Sequence, residues 1–443
     1  MMYDVTIIGA GIAGIFLAHE LMEQGQTVLL IDAGKPLAQR TKQEAYLGFG
    51  GLGKSEGKYN YSAGFGGELA EKLGAETTLR LMHQVDALLC RYGADEVESY
   101  STSNPVLADR AKVAGLETIE TTVRHLGTAL SERILRRLEA ALHEHVTFRF
   151  ETAVATIKRQ TDGFLLTTEH ETFSSQRVVF ATGRSGTAWM QEQLQALGLA
   201  QSKTRLDLGI RIEMEETAFR TLLQDTFETK LAYASAAGTA VTYCMNPKGR
   251  IIRKHQEGLV MPDGQNFREQ DSGTTNLNFT LFLPRYFATL EEANHYAASV
   301  IGQINQRTDR IVVQRLGDLR AGRSTQSGAL TENKVRPTLA ATAGNLIEEV
   351  PGTDITVLLE FLERLEQLLD TPLSNDTLLY GMDGKFYAPM LSTSVTFETD
   401  IPGLYAIGDC SGVTHSLSQA AASGLHLGQL LTQKTAVLRD KFS

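Results

Sequence analysis

Three glycines and one acid give the first chemical signal. Gly9, Gly11 and Gly14 stand in the spacing GxGxxG, and Asp32 follows eighteen residues after Gly14. Each glycine has its own task in such a turn. Gly9 allows a tight bend, Gly11 lets the backbone come close to a pyrophosphate, and Gly14 lets a helix lie against the strands. The free N–H groups and dipole at the start of that helix face the anion, and an acid roughly 20 residues on accepts hydrogen bonds from a ribose. The ligand that suits this chemistry is a dinucleotide, held by Gly9, Ala10, Gly11, Ile12, Ala13, Gly14, Asp32 and Ala33. Loss of the Asp32 carboxylate is expected to weaken that ligand and leave the fold intact.

Such a turn works only between the right elements. Val5, Ile7 and Ile8 make a short apolar run, Ile15, Phe16, Ala18, Leu21 and Met22 repeat at helical spacing up to Gly25, and a second apolar run from Val28 to Ile31 ends on Asp32. This is strand, turn, helix, strand. A second match, Gly48, Gly50 and Gly53, has no apolar strand before it and no clear helix after it, so it reads as a flexible loop. The surrounding stretch from Lys35 to Gly67 carries Tyr46, Phe49, Tyr59, Tyr61 and Phe65, and this aromatic content favours order. A helical insertion over about 67–116 is expected to pack over the cofactor. Another helix is expected from Leu126 to His143, with Leu130, Ile134, Leu135, Leu138 and Leu142 as its buried stripe and Arg133, Arg136 and Arg137 on the solvated side. From Val146 to Gly183 the period drops towards two, giving an antiparallel meander that returns to a parallel sheet at Ala181, Thr182 and Gly183.

Composition narrows the class. A chain of 443 residues with 42% hydrophobic content is long enough for two or three domains. Its net charge of −10 disfavours a nucleic-acid partner. Cys90, Cys244 and Cys410 lack CxxC spacing, which fits a reducing compartment and offers no redox dithiol or zinc site. With no signal peptide and no run of about 18 apolar residues, no membrane span is expected and the location is read as cytoplasmic.

The segments GFGGLGKSEGK, LDLGIRIEM, YCMNPKGRII, TNLNFTLFL, VQRLGDLRAGRS, KFYAPMLST and GLYAIGDCSGVTHSLSQAAASG carry a family resemblance. Along nearly its whole length the chain resembles a set of bacterial proteins catalogued as uncharacterised FAD-dependent dehydrogenases, within the glutathione-reductase type of flavoprotein. The resemblance implies non-covalent FAD, with Ala181, Thr182 and Gly183 passing close to it and Gly408 and Asp409 at the ribityl-phosphate region; Val154 is counted with them. It implies no substrate. The chain departs from the family's terminal motif at Cys410, Ser411, His415 and Ser416, and has Glu56 where Asp is usual.

The C-terminal segment can also be read physically. Ser416 and Gln419 have capping-box spacing at the start of a helix that includes Leu417. A helix start beside the flavin would stabilise negative charge on the reduced ring, and the small residues from Ala420 to Gly424 would let the helix approach it. Ser416 and Leu417 join the cofactor set on this ground.

The expected architecture is α/β: an FAD-binding Rossmann-like domain with a β-meander, formed by 1–205 and 372–443, plus a mixed α+β substrate or cap domain over 206–371. Arg211, Arg250, Arg253, Arg320, Arg323 and Arg336 fall in or near that second domain, and Arg323 is singled out because it sits in a glycine-flanked loop. Flavin chemistry asks the protein to hold a carbon at the ring and to handle a proton. Lys385 and His415 are first choices for that proton, with Tyr387, Lys58 and Cys244 in reserve; Cys410 reads as packing. The expected activity is hydride transfer between FAD and a small organic molecule. Oxygen-using oxidase or monooxygenase chemistry and a non-catalytic flavin sensor or carrier are the alternatives. No GxGxxG follows an apolar strand between Gly183 and Gly408, so no separate nicotinamide domain is expected. Electrons are expected from a transiently docked NAD(P)H, an electron-donor protein or the substrate itself.

Overall fold

A computed structural model describes residues 2–41, 46–223, 229–265 and 274–442. The chain divides into two compact units: Met1–Tyr100, Thr121–Thr204 and Tyr387–Ser443 in one, Ser101–Glu120 and Arg205–Phe386 in the other.

The first unit is built on strands β1 (Met2–Ile8), β2 (Val28–Ile31), β3 (Val146–Arg149), β4 (Val154–Gln160), β5 (Gly163–Thr168) and β6 (Thr172–Phe180), with a short strand Leu404–Ala406. The order is β3-β2-β1-β6-β5-β4, with Leu404–Ala406 on β6. β1 is parallel to β2 and β6, and β2 to β3, whereas β5 runs antiparallel to β6 and β4. The Rossmann-like layer and the meander are therefore one sheet. β6 joins them, pairing Thr172–Ser175 with β5 and Val178–Phe180 with Leu404–Ala406. Its apolar end is buried on both faces, the usual condition of a parallel strand.

Helix α1 (Ile12–Glu23) is apolar on nearly every side because the helix Leu417–Phe442 covers it. A Cβ at Gly424 would lie 2.2 Å from Ala13 O. The small residues from Ala420 to Gly424 thus serve close packing on α1, and not only room for a ring as the sequence suggested. The expected helix from Gly67 is broken at Gly74 (φ +83°), which separates Leu69–Leu73 from α2 (Ala75–Arg91). Helix α3 (Thr128–His143) buries the expected leucine and isoleucine stripe, and Arg136 pairs with Glu132 on its wet side.

The second unit contains β7 (Thr204–Glu215), β8 (Leu231–Ser235), β9 (Gly238–Pro247), the hairpin β10 (Arg250–Gln256) and β11 (Leu259–Gln265), then β12 (Asn276–Phe287), β13 (Val312–Arg315) and β14 (Leu378–Phe386). Its main sheet has β13-β14-β7-β12-β9-β8 as its inner order. Residues 372–386 were expected in the FAD-binding part. They belong to this unit because β14 pairs with both β7 and β13, and an apolar strand reads alike whichever sheet receives it. The segment about 101–116 of the expected insertion also falls here, where Leu107 and Ala111 join the second unit's core. Along β7, Leu206, Leu208, Ile210, Ile212 and Met214 enter that core, while Asp207, Arg211 and Glu213 alternate with them on the other face.

Candidate functional site

The first unit gathers most of the expected cofactor residues. Gly9 (φ +112°) would place a Cβ 2.4 Å from Ala181 O and 2.8 Å from Thr182 N, so only glycine allows β6 to end against the turn. A Cβ at Gly14 would meet Gly9 O at 2.1 Å. A Cβ at Gly11 would have no atom nearer than Ala181 O at 4.0 Å, so that side of the backbone at the start of α1 is open. The 151–154 segment lies beside β2's end: Thr152 N donates to Asp32 O (3.0 Å) and Glu151 N to Gly34 O (2.8 Å), bringing buried Val154 towards exposed Ala33.

Asp32 is more deeply engaged than its spacing suggests. One carboxylate oxygen accepts from Ala10 N (2.7 Å), the other from Gly34 N (2.7 Å) and Gly48 N (3.0 Å), all buried contacts. An ionised carboxylate offers about four lone-pair sites. Three are occupied by the protein's own backbone.

Gly48, Gly50 and Gly53, read from sequence as a flexible loop, are instead docked. Gly50 N donates to Ala10 O (2.8 Å), and a Cβ at Gly53 would strike Ile12 Cδ1 at 2.3 Å. The segment turns through Gly51–Gly53 as a short 3-10 helix.

Gly408 (φ +69°) brings the C-terminal motif to the same place, since its Cβ would lie 2.8 Å from Ala13 Cβ. Asp409 accepts from Thr414 Oγ1 (2.9 Å), and Arg184 Nε stands 3.9 Å from its other oxygen. Burial pushes the Asp409 carboxyl up to about 6, against the opposing pull of Arg184 and Thr414. The side chain nevertheless keeps 17% of its surface exposed, an edge open to a hydroxyl or other donor. Next to it, burial pushes the Cys410 thiol up to about 11, so it is an inert packing group, as expected.

Ser416 Oγ accepts from Gln419 N (3.2 Å), half of the expected capping box. Gln419 turns elsewhere, donating to Phe65 O (3.0 Å) and Gly67 O (3.3 Å) and accepting from Leu69 N (3.2 Å). At the second residue of the helix, the hydroxyl of fully buried Ser418 has no hydrogen-bond partner among the described residues. The open backbone at Gly11, the exposed edge of Asp409 and this unpaired hydroxyl together fit a cofactor with phosphate and hydroxyl groups.

The catalytic candidates fall in both units. His415 N donates to Gly66 O (2.8 Å), and its ring lies 4.3 Å from the Tyr387 ring. Lys58 begins a strand paired with His125 in the same unit. Lys385 is in the other unit, its ammonium 3.4 Å above the Tyr243 ring and 5.1 Å from that of Phe282. The Cys244 side chain lies outside the described residues. Arg323 is an exposed arginine whose guanidinium donates to buried Asp318 (2.8 Å), which also accepts from Thr325. Arg211, named with the other arginines of this region but not singled out, is the one the structure distinguishes. It is fully buried, donating to Asn278 Oδ1 (2.7 Å) and Thr280 Oγ1 (2.8 Å) with Asp383 at 3.5 Å. A charge at the centre of the apolar run LGIRIEM was the signal for it.

Among the described residues, no group of three or more His, Cys, Asp or Glu could hold a metal ion, and no helix is long and apolar enough to cross a membrane.

No curated protein matches the chain. Among solved structures, glycine oxidase from Geobacillus kaustophilus is 13% identical, with 98% of this chain and 95% of that one covered at a TM-score of 0.41. L-proline dehydrogenase from P. horikoshii is also 13% identical, with coverages of 98% and 94% and a TM-score of 0.42. At these scores the likeness says nothing of substrate. Residues 4–252 match the DAO family, described as FAD dependent oxidoreductase. That match spans more than half of the chain, including the Gly9–Gly14 turn, Asp32 and the Ala181–Gly183 strand end, and the chain therefore belongs to the DAO family of FAD-dependent oxidoreductases.

Proposed function

We propose that this FAD-dependent enzyme transfers a hydride between a non-covalently held flavin and a small organic molecule, and that the second unit is its substrate domain. The reading is supported above all by Gly408 packed on Ala13, which brings the Gly9–Gly14 turn and Asp409 to one place in the first unit. FAD supplies the redox centre when bound. Gly9 to Gly14, Asp32, Ala33, Val154, Ala181 to Gly183, Gly408, Asp409, Ser416 and Leu417 hold and orient it. The start of the helix Leu417–Phe442 offers N–H groups to negative charge. His415 moves the proton, with Tyr387 fixing its ring, because the rings of these two expected candidates lie 4.3 Å apart. Lys385 is assigned to substrate contact in the second unit, and Arg323 to no chemistry. A cytoplasmic setting, a transient NAD(P)H reductant and an electron-donor protein belong to the same proposal.

Oxygen separates this from oxidase chemistry. Photoreduced holoenzyme mixed with air-saturated buffer is expected to reoxidise slowly; reoxidation within the mixing time would overturn dehydrogenase chemistry in favour of an oxidase. Acid precipitation of the yellow protein is expected to release FAD into the supernatant, and flavin that stays on the pellet would show a covalent link.

Asp409 supplies a pH test on the apoprotein. Its carboxyl is raised in the fold, so the folded chain keeps a proton that the unfolded chain has already lost. Stability should therefore fall as pH rises from about 4, the ordinary carboxyl range, towards 6, with the full penalty above. Asp409→Asn removes the penalty. The apo variant is expected to melt above wild type near neutral pH and to lose that advantage at acid pH, while binding FAD more weakly. A melting difference that does not change with pH would refute the assignment.

A further inference from the structure

We propose that Arg40 is a positioning residue for the dinucleotide site, holding the Gly48–Gly53 segment against the Gly9–Gly14 turn without touching the cofactor. This rests on the placement of FAD at that turn. Arg40 is 7% exposed, and its Nη1 donates to Phe49 O (2.6 Å) and Gly51 O (3.0 Å). One buried nitrogen thus brackets two carbonyls of a glycine-rich segment whose one buried large side chain is Phe49. The stem takes part as well: a Cβ at Gly48 would lie 3.1 Å from Arg40 Cδ, so the methylenes cover the glycine backbone. Lys54, just past the segment, returns its ammonium to Arg40 O (3.1 Å) and closes the bracket from the other side.

The bracketed segment is the one that meets the phosphate turn. Gly50 N donates to Ala10 O, Gly48 N donates to Asp32, and a Cβ at Gly51 would lie 3.2 Å from Gly11 Cα. Gly50 (φ +86°) and Gly51 (φ +49°) hold left-handed backbone that strands and helices do not stabilise. Phe49 anchors the segment in the core through its side chain, and Arg40 holds the backbone on either side of Gly50 through the carbonyls of Phe49 and Gly51. The direction of support runs from Arg40 through carbonyls at 49 and 51 to the N–H groups at 48 and 50, and from these to Asp32 and Ala10.

The test compares Arg40→Met with Arg40→Gln, a neutral side chain that can still donate. In the apoprotein, exchange of the Gly48 and Gly50 amide hydrogens reports the segment itself; FAD titration followed by flavin fluorescence reports its effect. Arg40→Met is expected to speed exchange at both amides and to weaken FAD by about tenfold or more, with Arg40→Gln recovering part of both. Weakened FAD with unchanged amide exchange would mean that Arg40 acts on the cofactor directly, and would overturn the proposal, as would Arg40→Met matching wild type in both. Equal loss in the Met and Gln variants would assign the effect to charge and overturn it too. If Arg40→Met does not fold, Arg40→Gln carries the test alone, with faster exchange and weaker FAD in support and either one unchanged against. A wild-type chain that bound no FAD would instead sink the cofactor placement, and the amide readout would still judge the bracket.

Discussion

Replacement of Asp32 by alanine is expected to cost the protein both its flavin and part of its stability. A charge-assisted bond from a ribose hydroxyl is worth about 1.5 to 3 kcal/mol, which alone weakens FAD by one to two orders of magnitude. The backbone adds a second effect. The N–H groups of Ala10, Gly34 and Gly48 all donate to this carboxylate in a buried setting, and alanine leaves the three without that acceptor. Each orphaned buried donor costs about 1 to 3 kcal/mol, reduced where water enters. The fold-neutral outcome read from spacing alone is therefore revised: Asp32→Ala should lower the melting temperature of the apoprotein, where no ribose contact exists to lose. Asp32→Asn should fall between, since the amide oxygen keeps part of the acceptor set. An apo variant that melts with wild type would show that the three bonds contribute little.

The second large effect is expected at Arg211. Arg211→Met keeps the length of the side chain and removes a guanidinium that serves Asn278, Thr280 and Asp383 in a fully buried position. Removing one member of such a pair leaves the other partner buried and uncompensated, at about 3 to 5 kcal/mol. Lys254, 2.8 Å from Asp383, softens this by keeping one counter-charge in place. Thermal unfolding of the holoenzyme should show a fall of about 6 to 20 °C in the transition that reports the second unit. A double variant that also replaces Asp383 by asparagine should recover part of the loss. Additive losses would show that the two side chains do not work as a pair.

What could be read from the sequence was what short-range pattern controls. The run from Val5 to Asp32 shows its strand, turn, helix and strand because apolar spacing and three glycines suffice to specify them. The meander from Val146 to Gly183 shows itself through period-two alternation and the turn residues between strands. The first reappears in the sheet, and so does the meander from Val154 onward; Val146–Arg149, expected to open the antiparallel meander, instead pairs parallel with β2 at the far edge, because alternation fixes a strand but not its partner. Features that depend on a distant partner were hidden. Nothing near Gly50 announces that its N–H will meet Ala10 O, so a docked segment looked like a loose one. The strand Leu378–Phe386 is apolar enough for either sheet, and only its two neighbours decide. Arg323 stood out for its glycine-flanked loop and is exposed, reaching in to Asp318, whereas Arg211, inside a strand, drew less notice and is buried. A loop is where an arginine is easiest to notice; an apolar strand is where it is costliest to keep.

The first unit takes its parts from both ends of the chain: Gly424 lies on Ala13, and Gly408 completes the turn that Gly9 begins. During synthesis this has a consequence in time. At about 5 to 20 residues per second, the glycine turn leaves the ribosome long before Asp409 and the last helix exist, and α1 waits with the face that Gly424 will cover still wet. The entire second unit is translated in the interval. The packing around the glycine turn therefore waits on the synthesis of Gly408 and the helix after it, and a chain cut short before residue 408 would carry the recognisable glycine signature without the contacts that Gly408 and Gly424 make on Ala13.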